Sequence, residues 1–361
     1  MNNNNTFHGS DLEKISKLYN IPQTNIINFA ANVNPLGISD TLKKGLAANL
    51  DIMSQYPDRD YVKLRHIISN YCGADIEHII VGNGSTELIS LLISNIKAKK
   101  ALLLGPTYSE YEKELDLVGC SLEEFRLTAS NNFKLDETLL FETLSNGFDF
   151  LILCNPNNPT GSALTTSQLD SLLKYCDSNN IFVMIDETYI EFASEINHYS
   201  AIPLCREYEN LMVLRGISKF FAAPGLRMGY GITSNTSLLS YLKKHQNPWS
   251  LNSIAEFAGE LLFTDTEYIE TTRTLISKER EKCYRYFENT KEYKVFPTQA
   301  NFILVQLLNP SHTANGVFER CIREGLMIRN CNSFFHGDGE FIRFCLMNPA
   351  DNDKLLDCIR I

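Results

Sequence analysis

Between about residues 64 and 228, five short apolar runs alternate with amphipathic helical patterns, and few folds accommodate that rhythm. The runs occupy positions 78–81, 101–104, 150–153, 181–185 and 211–214, each bounded by Gly, Pro or Asn. None alternates polar with apolar side chains, so each reads as a strand buried on both faces beneath helices. The pattern predicts an α/β protein on a mainly parallel sheet. Beyond about Lys243 the rhythm changes: a long helical stretch over 253–287 precedes strands at 301–305 and 341–345. That predicts a second, smaller α+β unit, and 361 residues exceed what one core usually serves. The expected division is an N-terminal arm over 1–35 that joins the small domain, a large domain over 36–245 and a small domain over 246–361.

The formal net charge of -10, with no Lys/Arg block, argues against a nucleic-acid partner, which would need a concentrated basic face. A pocket with its own arginines can still take an anionic small molecule, because short-range contacts feel distant charge only weakly. The ten cysteines form no CxxC pair and the seven histidines no HxxxH or HxE pattern, so neither a zinc site nor a disulfide framework is expected. Free thiols fit a reducing cytoplasm. Residues 1–6 lack a basic region followed by an apolar stretch, and no run of about eighteen apolar residues occurs, so a cytoplasmic protein without a membrane span is expected.

Functional groups in such sheets gather outside the carboxyl ends of the strands. There the sequence places Gly82-Asn83-Gly84-Ser85-Thr86, Gly105-Pro106-Thr107-Tyr108, residues 155–161, Asp186-Glu187 and residues 215–219. Gly84, Ser85 and Thr86 read as a glycine turn entering a helix, which either holds a phosphate on free backbone N–H groups or simply caps the helix. Asp186 ends an apolar run, where a carboxylate needs a partner: a protonated pyridine nitrogen, an arginine or a helix cap. Asn155-Pro156-Asn157-Asn158-Pro159-Thr160-Gly161 is dense in turn formers and alone would pass for a loop, as Lys219 alone would pass for a solvated lysine. Ordered along one chain, each at a strand end, these segments are hard to obtain by chance. They offer the amine, phosphate cradle, anion and aromatic face that pyridoxal phosphate (PLP) requires.

The combination resembles the fold-type I PLP enzymes, the aspartate-aminotransferase superfamily, over essentially the whole chain. The resemblance is carried by the Asn-Pro-Asn-Asn-Pro-Thr-Gly loop, by Asp186-Glu187-x-Tyr189, and by Ser218-Lys219 followed by Gly225-Leu226-Arg227-x-Gly229-Tyr230. It implies a mostly parallel, seven-stranded sheet with helices on both faces plus a small α+β domain. It further implies that Lys219 carries PLP as a Schiff base, Asp186 pairs with the pyridine nitrogen, Asn158 and Tyr189 hydrogen-bond the ring hydroxyl, and Tyr108 stacks on the ring. Gly84, Ser85, Thr86 and Arg227 would bind the cofactor phosphate, and Tyr56 would reach the partner subunit's cofactor in a homodimer. One position departs from the pattern: Gly216 stands three residues before the lysine, where family members commonly carry Ser or Thr, so one hydroxyl contact to the phosphate is expected to be missing or supplied by Ser218.

Within the superfamily the chain is most similar to the branch of histidinol-phosphate aminotransferases and threonine-phosphate decarboxylases, the latter serving cobamide (cobalamin) biosynthesis. Three segments resemble the decarboxylases: Phe7-His8-Gly9-Ser10, Asn32-Val33-Asn34-Pro35-Leu36-Gly37 and Ile328-Arg329-Asn330-Cys331-Asn332-Ser333-Phe334. This implies substrate contacts from His8, Asn34, Leu36 and Gly37, with Arg329 on the substrate phosphate and with Arg343 and Asn158 on the α-carboxylate. The expected reaction is decarboxylation of a phosphorylated amino acid, threonine phosphate first, yielding 1-aminopropan-2-ol phosphate, with Lys219, Asp186 and Tyr108 as the catalytic set. The alternatives are transamination of histidinol phosphate or another phosphate- or phosphonate-bearing amino acid, and a non-catalytic ligand-binding domain, against which Lys219 and Arg343 count. The bond to Cα that stands perpendicular to the cofactor ring chooses between the first two.

Overall fold

All five apolar runs form strands of one seven-stranded sheet, in a computed structural model that describes residues 11–288, 290–335 and 337–360. Its strands are β1 (Ile79–Gly82), β2 (Lys100–Gly105), β3 (Ser121–Arg126), β4 (Phe150–Cys154), β5 (Phe182–Asp186), β6 (Leu211–Gly216) and β7 (Gly229–Ile232), in spatial order β1-β7-β6-β5-β4-β2-β3. Pairing is parallel from β6 through β5, β4 and β2 to β3, whereas β7 runs antiparallel to both β6 and β1. The register sets Cys154 beside Asp186 and Asp186 beside Leu214, so the segments after β4, β5 and β6 emerge along one edge.

Helices cover both faces of the sheet. In the helix Thr166–Ser178, Leu169, Leu172, Leu173 and Cys176 are buried, a spacing of three and four residues that forms one apolar stripe. Its start is fixed by a capping box between Thr165 and Gln168. Each leucine fully removed from water contributes about 1.5–3 kcal/mol.

Two strands of this sheet escape the reading of apolar runs. β3 is an edge strand whose exposed side chains include Glu123 and Arg126, so charge replaces the apolar run and also protects the edge. β7 lies inside what reads as a ligand-embracing turn over 218–230; glycines at 229 and 231 let it lie against the Gly84-Ser85 turn and the Met212 side chain, where a Cβ would collide. The long helical stretch is two helices, Ser253–Leu262 and Thr266–Phe287, separated at Asp265, whose side chain accepts from the Tyr268 N–H.

The second sheet holds β8 (Tyr293–Val295), β9 (Phe302–Leu307), β10 (Arg329–Asn330) and β11 (Glu340–Cys345), antiparallel throughout in the order β10-β11-β9-β8. A short parallel pair, Ile27–Asn28 with Leu326–Met327, ties the N-terminal segment to this half. All ten cysteines are free. Among the described residues no helix is long and apolar enough to cross a membrane, and no His/Cys/Asp/Glu group is placed to hold a metal.

Candidate active site

A cleft of about 470 Å³ opens where β4, β5 and β6 end, roofed by the chain at 30–33 and closed by β10 and β11. Lys219, four residues beyond Arg215 of β6, donates from Nζ to the Ala31 carbonyl at 2.9 Å. Burial first, with Arg343 and Arg227 adding to it, lowers its proton affinity to about 8, so a larger share of the amine is uncharged near neutral pH than in water.

Asp186, the last residue of β5, is held by three donors: Tyr111 Oη to Oδ2 at 2.7 Å, and the Thr188 N–H and hydroxyl to Oδ1 at 2.9 and 2.6 Å. Burial and Asp186 raise the Tyr111 hydroxyl well above its ordinary range, so it stays protonated and donates. Tyr108 meets Tyr111 edge-on with ring centroids 5.5 Å apart and lines the cleft, its hydroxyl pushed up to about 12 mainly by burial. Beneath, Glu187 and Arg215 form a buried pair, with Arg215 Nη2 2.7 Å from Oε2.

At another wall, Ser85 and Thr86 sit in the first turn of the helix Gly84–Ile96, whose free N–H groups and dipole favour an anion. Gly84 has φ +78°, and a Cβ there would stand 2.5 Å from Arg227 Nη2, so the glycine is what lets the guanidinium approach the helix start. A Cβ on Gly216 would lie 3.7 Å from Ser85 Oγ and 3.4 Å from the Met228 carbonyl. Space therefore does not demand glycine at 216.

The wall formed by the second sheet carries two arginines. Arg329 and Arg343 stand directly opposite each other across β10 and β11, 4% and 5% exposed. Arg343 donates to Asn158 Oδ1 and, at 2.9 Å, to the Ala30 carbonyl, and its guanidinium lies 5.2 Å from the Phe302 ring centroid. Arg329 lies 5.5 Å from the Phe334 ring centroid and its Nη1 has no hydrogen-bond partner among the described residues. Burial and then Arg343 lower its proton affinity, against the pull of Cys331 and Asp11. Two like charges buried side by side favour anions in the space they face.

Lys219, Ser218, Asp186, Tyr108, Ser85, Thr86, Asn158, Tyr189, Arg227, Arg329 and Arg343 thus share one cleft. Asn34, Leu36 and Gly37 do not. Asn34 is buried with its amide spent on the Phe220 carbonyl, Tyr268 Oη and Thr272 Oγ1, and its Oδ1 accepts from the Leu36 N–H. It brackets the N-terminal segment to the helix Thr266–Phe287; Leu36 is exposed, and Gly37 turns at φ +67° with its carbonyl taken by Tyr268. Within this chain residues 30–33, rather than Asn34, Leu36 and Gly37, line the cleft. Tyr56 is 80% exposed against Trp249 and lies outside the cleft of its own chain. His8 lies outside the described residues. The sequence reading also passed over Tyr111, Thr188 and Asn32, although each stands within three residues of a position it did select.

The cleft fits PLP on its own geometry: an anion cradle at a helix start, a carboxylate fixed by three donors, an aromatic ring and a buried amine face one space. Known proteins agree. The family described as aminotransferase class I and II matches residues 24–359. A Caldanaerobacter subterraneus subsp. tengcongensis protein, provisionally named threonine-phosphate decarboxylase, is 37% identical over 91% of this chain and 88% of its own. The threonine-phosphate decarboxylase of Salmonella typhimurium is 30% identical over 99% and 96%. The crystal structure of the histidinol-phosphate aminotransferase from Clostridium acetobutylicum superposes with a TM-score of 0.85 at 32% identity, over 92% of this chain and 97% of that one.

Proposed function

We propose, from the premise that the chain belongs to the class I and II aminotransferase family and is a PLP-dependent enzyme, that it decarboxylates L-threonine O-3-phosphate, with serine phosphate second. The observation that carries this reading is the Arg329–Arg343 pair. Threonine phosphate bears a carboxylate and a phosphate on adjacent carbons and would engage both guanidiniums at once, by the paired N–H geometry that suits oxyanions. Histidinol phosphate bears a phosphate and no carboxylate. The decarboxylase names of two relatives support the reading; the structural likeness to a histidinol-phosphate aminotransferase supports the second one, transamination, in which the arginines would serve successive substrates.

PLP, when bound, supplies an electron sink for the bond broken at Cα. Ser85, Thr86, the helix start and Arg227 would hold its phosphate and Asp186 its ring nitrogen, with Tyr111 and Thr188 fixing that carboxylate. Arg343 with Asn158 would grip the α-carboxylate and Arg329 the substrate phosphate, and decarboxylation requires that this grip stand the bond to the carboxylate perpendicular to the cofactor ring. Phe302 and Phe334 keep water from the two guanidiniums. Lys219 Nζ then returns a proton to Cα. The exposed Tyr56–Trp249 pair supports a homodimer in which Tyr56 completes the partner's site, and ten free thiols support a cytoplasmic location.

The test is a substrate panel on the PLP-loaded protein. CO2 release from threonine phosphate, less from serine phosphate and little from threonine is the expected result. Glutamate formation from 2-oxoglutarate with histidinol phosphate or a phosphonate amino acid, without CO2 from threonine phosphate, would overturn the reading.

A further inference from the structure

Asn32 combines features that its backbone alone does not explain. It lines the cleft, is 1% exposed and sits at φ +54°, a left-handed conformation that glycine adopts with less strain. Its neighbours are clamped: Arg343 holds the Ala30 carbonyl, Lys219 the Ala31 carbonyl and Asn301 Nδ2 the carbonyl of Asn32 itself. The side chain makes one hydrogen bond, Nδ2 to Tyr189 Oη at 3.4 Å, and Oδ1 has no partner among the described residues.

A tyrosine hydroxyl has one proton to give and accepts through its oxygen. With Asn32 donating to that oxygen, the Tyr189 proton is free for another acceptor, and Tyr189 also lines the cleft. Its ring is fixed edge-on against Phe302 at 5.2 Å, so rotation about the C–O bond is the freedom left to the group. Burial raises the hydroxyl above its ordinary range while Arg343 and Asn32 pull it down, and the proton stays on the oxygen at neutral pH.

We infer that Asn32 is a positioning residue that turns the Tyr189 proton toward the cofactor ring oxygen, an inference that rests on the reading above that Tyr189 hydrogen-bonds that ring. Removing the amide leaves the proton free to turn away, and the ring oxygen, short of a donor, then holds the proton of the cofactor chromophore more firmly.

The experiment is a pH titration of the visible absorbance of the PLP-loaded protein, for wild type, Asn32→Gly, Tyr189→Phe and the double variant. Glycine suits φ +54°, so Asn32→Gly removes the amide without backbone strain or a change of charge, and Asp186, Lys219 and Arg343 stay in every variant. Tyr189→Phe is expected to raise the titration midpoint by about one unit and Asn32→Gly by roughly a third to one unit, a two- to tenfold gain in proton affinity. The double variant should match Tyr189→Phe. An unmoved midpoint in Asn32→Gly, or the same rise when Tyr189 is already Phe, overturns the inference. A fall also overturns it, since the amide would then lie reversed with Oδ1 taking the Tyr189 proton. An unmoved midpoint in Tyr189→Phe overturns instead the placement of Tyr189 on the ring.

Discussion

Replacing Arg329 with methionine separates a binding role from a structural one, because the two predict opposite signs. The guanidinium is 4% exposed, its Nη1 has no partner among the described residues, and its neighbour across the strand pair is Arg343. Such a charge is a liability in the ligand-free protein: exchanging buried ionic groups for apolar side chains of similar size is often neutral or stabilising by about 1–4 kcal/mol. Arg329→Met is therefore expected to leave the thermal midpoint of the ligand-free protein unchanged or raise it. Catalysis should move the other way. A hydrogen bond to a charged group is worth about 1.5–3 kcal/mol, and two from one guanidinium to a phosphate, counted conservatively at about 3–4 kcal/mol, correspond to a loss of roughly 100- to 1000-fold in kcat/KM. Thermal melts, with steady-state kinetics on threonine phosphate and on threonine, measure both; the deficit should vanish on threonine, which has no phosphate. A lowered melting midpoint with unchanged kcat/KM on threonine phosphate would refute the reasoning and make Arg329 a structural residue.

Lys219 has a folded-state proton affinity near 8, below the 10.5 of an exposed lysine, so the cofactor-free protein binds fewer protons than its unfolded chain between those values. Its stability should rise as pH climbs from about 8 to 10.5, by at most about 3 kcal/mol, and Lys219→Met should flatten that rise in pH-dependent denaturant melts. Gly216→Ser adds a hydroxyl near Ser85 Oγ at ordinary contact distances and should tighten PLP up to about tenfold in equilibrium dialysis, with little change in melting temperature. Asn34→Ala strands several buried partners and should cost roughly 2–4 kcal/mol in denaturant melts, while kcat/KM per folded molecule stays near wild type.

The legible parts of the fold are those where burial writes a one-dimensional signal. β2, β4, β5 and β6 are covered on both faces and so read as apolar runs, and the groups at their carboxyl ends, from Asp186 to Lys219, could be placed from sequence order alone. β3 was illegible because an edge strand carries charge, and β7 because its glycines answer to neighbours distant in sequence. The roles of Asn32 and Asn34 could not be told apart because both are asparagines in one short motif. Their difference arises from contacts 157 and 238 positions away, Tyr189 for one and Thr272 for the other. Tyr111 was missed for a related reason: it reads as a core aromatic of an amphipathic helix, and only the folded chain shows its hydroxyl on Asp186.

The most direct test of the central claim follows the bonds at Cα. Threonine phosphate turned over by the PLP-loaded protein in D2O, without an oxo acid, should release one CO2 per substrate and give 1-aminopropan-2-ol phosphate that keeps the original Cα hydrogen and gains one deuterium beside it, as nuclear magnetic resonance would read. Washout of the Cα hydrogen with the carboxylate retained would contradict the account and assign the chain to transamination.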